Sequence, residues 1–75
     1  MKAGDKVRIA RVSDYNAMLY KSTNTPSPIG ETGVVIEIRF NPNMAKYGQG
    51  NEVLVRMDKD GGKALFIEEH LEVIN

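Results

Sequence analysis

Polar and apolar residues alternate with a period of two over residues 5–10, placing Val7 and Ile9 on one side and Lys6 and Arg8 on the other, the pattern of a half-buried strand. The Gly4-Asp5 pair just before it is a turn signal, because Gly frees the backbone and Asp can bond its own main chain. Alternation returns over residues 32–40, which predicts Val34, Ile36, Ile38 and Phe40 on one face and Val35, Glu37 and Arg39 on the other. A third run, residues 52–57, sets Val53, Val55 and Met57 against Leu54 and Arg56. Asp58-Lys59-Asp60-Gly61-Gly62 then predicts a tight hairpin into a fourth strand at residues 63–67, since Asp-Gly supplies the positive backbone angles such turns need. Glu68-Glu69-His70 is too short for a stable α-helix and suits one 3₁₀ turn before a last strand at residues 71–74.

Between these runs the periodicity fails. Residues 11–29 contain Ser22-Thr23-Asn24-Thr25-Pro26-Ser27-Pro28, which can continue neither a helix nor a central strand, so the segment is expected to be a long loop. Loops beyond about 12–15 residues are uncommon in compact domains and are either functional or mobile insertions. Asn41-Pro42-Asn43 ends the second strand, and a second irregular segment follows through Asn51. Five short strands with one 3₁₀ turn before the last is the SH3-like layout. The expected fold is therefore all-β: a small five-stranded SH3-like barrel with a long loop between strands one and two, because closure removes the edges an open sheet would expose.

Composition narrows this picture. The chain has 75 residues, enough for one domain spanning residues 1–75, and a chain so short buries only about 60% of its unfolded surface. Apolar residues make up 41%, but with three Tyr, two Phe and no Trp the core must be small and built from Val, Ile, Leu and Met. Without Cys the chain itself offers no disulfide, thiolate metal site, iron–sulfur ligand or thiol nucleophile, so no cofactor is expected in it. No stretch approaches the roughly 20 apolar residues of a transmembrane helix, and the first residues lack a signal-peptide run; a soluble, cytoplasmic-type protein with no membrane insertion is expected. Ten Lys and Arg balance ten Asp and Glu, which disfavours nucleic acid as a partner.

The chemistry-bearing residues form no catalytic set. His70 is the sole His, so neither a triad nor a metal site can be assembled around it, and a structural or solvent-facing role is expected. Adjacent Glu68 and Glu69 point apart on a short turn, with nothing apolar around them to raise a pKa. Gly30-Glu31-Thr32-Gly33 opens a strand rather than a helix, so it lacks the dipole a phosphate loop uses, and its glycines are expected to serve a turn. Asp58, Asp60 and Gly61 fail the register of a calcium loop, because its closing position would fall at Glu69 or Glu72 and only after a strand. What remains is a set of apolar and aromatic residues in otherwise polar loops: Tyr15, Met18 and Tyr20 in the first, Met44 and Tyr47 in the second, with Leu19 as ready to lid the core as to face out. Tyr and Met are enriched at interfaces, and these five residues are the expected partner-binding set.

Gly4-Asp5-Lys6-Val7-Arg8-Ile9, Gly30-Glu31-Thr32-Gly33-Val34-Val35, Val53-Leu54-Val55-Arg56-Met57 and the closing Phe66-Ile67-Glu68-Glu69-His70-Leu71-Glu72-Val73-Ile74 together resemble the electron-transport accessory barrels. That group includes the variable chain of ferredoxin–thioredoxin reductase, the photosystem I subunit PsaE and the nitrile hydratase β-chain barrel. The likeness is greatest to the reductase variable chain, in total length and in the span between the first strand and Gly30. It implies a non-catalytic subunit, in the cytoplasm or a plastid stroma, docked on a larger catalytic chain. That chain's own cysteines would hold an iron–sulfur cluster, with ferredoxin or thioredoxin reached through the complex. The alternative is a nucleic-acid- or ribosome-associated barrel, which needs Arg8, Arg11, Lys21, Arg39, Lys46 and Arg56 to converge; Arg8, Arg39 and Arg56 share the outward side of their strands by alternation.

Overall fold

The computed structural model describes residues 1–45 and 51–75, with the side chains of Met44 and Ala45 outside that description. In chain order it contains β1 (Lys6–Ile9), α1 (Asp14–Ser22), β2 (Thr32–Phe40), α2 (Pro42–Ala45), β3 (Asn51–Met57), β4 (Lys63–Ile67), a 3₁₀ turn (Glu68–His70) and β5 (Leu71–Val73). The strands form one antiparallel sheet in the order β4-β3-β2-β1-β5, so the last strand returns beside the first. Val7, Ile9, Val35, Val53, Val55 and Met57 form the buried core, and Val12, Ile38, Ala64, Phe66 and Leu71 pack against it. Alternation in β1 and β3 puts Val and Ile on the core side, where β-branched side chains fit the pleated surface.

The face assignment in β2 differs from the alternation read in the sequence. Val35 pairs with Val55 and Glu37 with Leu54, so three residues of β2 span two of β3 and Ile36 is the extra residue of a β-bulge. The bulge shifts the side-chain phase by one position. Val35 lies in the core before it and Ile38 packs on the core after it, while Val34 stands opposite Lys6 and Arg56 on the other face and Phe40 is 68% exposed. Gly33 is no turn residue: it lies within β2, and a Cβ there would stand 2.5 Å from Val55 Cγ1 and 2.6 Å from the Arg56 carbonyl oxygen. Only a residue without a side chain lets β2 and β3 approach so closely. The turn between β3 and β4 has Gly61 at φ +73°, with the Gly61 N–H donating to the Met57 carbonyl.

Asp5 ties the two ends of the described chain to this sheet. Its carboxylate accepts from the Lys2 main-chain N–H at 3.0 Å, from Lys2 Nζ at 3.0 Å and from Asn75 Nδ2 at 2.9 Å, and Asn75 Oδ1 accepts from the Lys6 N–H. Although only 5% exposed, it is fully partnered, as a buried carboxylate must be. These bonds, led by the Lys2 ammonium, hold the Asp5 carboxyl below its ordinary value.

Candidate docking surface

The expected long loop between β1 and β2 contains α1. Ser13 caps its N-terminus, accepting from the Asn16 N–H at 3.2 Å; Asp14 stands in the first turn and Lys21 in the last, each complementing the helix dipole. At the other end Asn24 adopts φ +55°, the Asn24 N–H donates to the Lys21 carbonyl, and the Thr25 N–H to the Tyr20 carbonyl. That is a Schellman termination with Asn in place of the usual Gly. Pro26 follows where the helix can no longer continue. The insertion leaves and re-enters the sheet at neighbouring points, since the Gly30 N–H donates to the Ile9 carbonyl at 2.8 Å and the Ile9 N–H to the Glu31 carbonyl at 2.9 Å.

Residues three and four apart share a helix face, and α1 sorts its side chains accordingly. Ser13, Asn16 and Tyr20 face the sheet, rimming two shallow clefts on either side of Phe66. The larger, about 170 Å³, is lined among others by Val12, Asn16, Leu65, Phe66 and His70. The smaller, about 130 Å³, lies between Tyr20, Pro26, Pro28 and Phe66. Tyr15 and Met18 point the other way, 65% and 61% exposed, with Leu19 between the two settings at 40%. No residue of α1 is buried. The helix thus presents an apolar face to solvent.

Of the five residues expected to bind a partner, Tyr15 and Met18 therefore stand together on one exposed face, whereas Tyr20 turns inward and is half-buried against the smaller cleft. The Met44 side chain and Tyr47 lie outside the described residues, as does Lys46 of the alternative reading. Sequence reasoning missed the helix itself, although Ser13 before it, Asn24 after it and the Tyr15, Met18, Leu19 spacing were all available as signals.

Of the cations of the alternative reading, Arg8 and Arg39 are committed to acids. Arg8 pairs with Glu72 at 3.6 Å and Arg39 with Glu37 at 3.0 Å, an ion pair that lowers the Glu37 pKa and raises that of Arg39. Lys6 pairs with Asp58, which also accepts from the Thr32 hydroxyl at 2.6 Å, and the two bonds hold the Asp58 carboxyl below its ordinary value. Arg56 is exposed between Val34 and Lys63 in the ladder. His70 is buried beside the larger cleft, and Glu68 accepts from Asn51 Nδ2 at 3.1 Å while Glu69 is exposed. Among the described residues no three His, Asp or Glu side chains are grouped as a metal site would need, and no helix is long and apolar enough to cross a membrane. No protein-family model matches the chain, and neither a curated protein nor a solved structure matches it.

Proposed function

We propose that this chain is a non-catalytic accessory subunit whose sheet curls into an SH3-like barrel left open along β4 and which docks on a larger catalytic protein through the outer face of α1. The strand order β4-β3-β2-β1-β5, the bulge at Ile36 that bends β2, and the 3₁₀ turn before β5 support the barrel. The observation that carries the docking role is the solvent-facing pair Tyr15 and Met18 on a helix capped at both ends. A preformed helix with an apolar face loses little conformational entropy on binding, and Tyr and Met are the residue types such interfaces favour. The resemblance to the reductase variable chain supplies the class of partner, a cysteine-bearing chain holding an iron–sulfur cluster. Ion pairing of Arg8 with Glu72 and of Arg39 with Glu37 weakens the nucleic-acid alternative.

The test is affinity purification of the tagged chain from host lysate beside its Tyr15→Ser/Met18→Ser variant, with mass spectrometry and an absorption spectrum of what co-elutes. Co-elution of a cysteine-rich protein with broad iron–sulfur absorbance, lost in the variant and insensitive to moderate salt, is expected. Recovery of nucleic acid that washes away with salt would overturn the reading.

A further inference from the structure

The two edges of the sheet are guarded very differently. β5 is only three residues long, and short edge strands resist pairing with other chains. β4 is five residues long and contains no proline and no bulge, with Lys63 as its one charge. Its β3 partners take only the main-chain groups of alternate residues. The Met57 N–H donates to the Gly62 carbonyl at 2.8 Å, so by the alternation of an antiparallel ladder Ala64 and Phe66 exchange bonds with Val55 and Val53. The N–H and C=O groups of Lys63 and Leu65, and the N–H of Ile67, then point away from β3. β3 is the sole strand neighbour of β4, and among the described residues no other main-chain group bonds these positions. The Leu65 side chain is 48% exposed, and the larger cleft opens beside Leu65 and Ile67.

We propose that β4 pairs antiparallel with β4 of a second copy of this chain about a two-fold axis at Leu65, joining two sheets into one. In that register Leu65 meets Leu65 and exchanges both main-chain bonds, while Lys63 lies opposite Ile67 of the second copy. The charges agree with this orientation. Lys63 is brought beside the Glu68-Glu69 turn of the second copy, and symmetry repeats the pairing at the other end, whereas a parallel arrangement would set Lys63 against Lys63 and acid against acid. The proposal is independent of what α1 binds.

Sedimentation velocity on the full chain over a broad concentration range tests it, with three variants. The parent is expected to show a reversible monomer–dimer equilibrium. Leu65→Pro removes the central donor at a position whose N–H faces outward, where an edge strand tolerates proline, and is expected to be monomeric with a parent-like circular dichroism spectrum. Lys63→Glu is expected to weaken the dimer about tenfold by placing like charges together, and Lys63→Glu/Glu69→Lys to restore it. Should Leu65→Pro fail to fold, the exposed Lys63 and Glu69 variants decide the matter. A parent that stays monomeric throughout, as it would if β4 instead received a strand from a different protein, overturns the proposal. So does a dimer that Leu65→Pro or Lys63→Glu leaves at parental strength, or one that the charge exchange fails to restore.

Discussion

Two residues carry more of this fold than their size suggests. Gly33 permits a close approach between β2 and β3, and its neighbour on one side is a main-chain carbonyl, which cannot rotate away as a side chain could. Gly33→Ala is therefore expected to cost about 1–3 kcal/mol, read as a lower urea midpoint, and a simultaneous Val55→Ala should recover only part of it because the Arg56 carbonyl stays in place. Asp5 acts through charge. Its carboxyl, like that of Asp58, lies below the ordinary 3.8 in the folded chain, so as the pH falls the unfolded chain takes up its proton first. The stabilisation is full above that value and is lost as pH falls through the lowered one. Asp5→Asn should accordingly unfold more readily than the parent at neutral pH, with the difference shrinking as the pH falls below the ordinary carboxyl value of 3.8. A difference that is constant with pH would show that the Asp5 bonds to Lys2 and Asn75 contribute by geometry alone.

At the scale of elements, legibility in the sequence followed burial. β1 and β3 could be read in full because each buries alternate residues against one core, as Val7 and Ile9 or Val53, Val55 and Met57 do. β2 could not, since Val34-Val35-Ile36 is an unbroken apolar run and either phase satisfies it; pairing with β3 alone selects Val35 and creates the bulge. α1 escaped for the opposite reason. Among its apolar residues Tyr15 and Met18 face solvent and Tyr20 alone turns inward, so no core-directed stripe marks it, and the turn-forming residues after Ser22 overshadow its caps. Nine residues are too few for a helix to persist on propensity alone, which makes the caps decisive. Ser13→Ala should cost α1 about 1 kcal/mol, and Asn24→Gly should leave it unchanged or firmer, since Gly adopts φ +55° without strain. Because α1 buries no residue, amide exchange within residues 14–22 should report both changes while the global unfolding midpoint hardly moves.

For the molecule as a whole, these observations divide the chain into a sheet that folds and an insertion that it displays. The six core residues come from β1, β2 and β3, and the main-chain bonds between Ile9 and Gly30 and Glu31 close the β1–β2 hairpin beneath the insertion. The hairpin therefore does not need the helix to hold its register. Replacing residues 14–27 with two glycines keeps Val12 against the core and removes α1. The shorter connection gains about 1 kcal/mol of loop-closure entropy, which offsets the lost cover that Tyr20 and Pro26 give Phe66. The shortened chain should thus unfold cooperatively within about 1 kcal/mol of the parent, by urea titration, while losing the capture proposed for Tyr15 and Met18. If it fails to fold, α1 is part of what holds the small core together, and the exposed face is a by-product of that structural role. If it folds and still captures the partner, docking belongs to the sheet or to the segment between β2 and β3. Folding with loss of capture is the one result that assigns stability to the sheet and recognition to the helix.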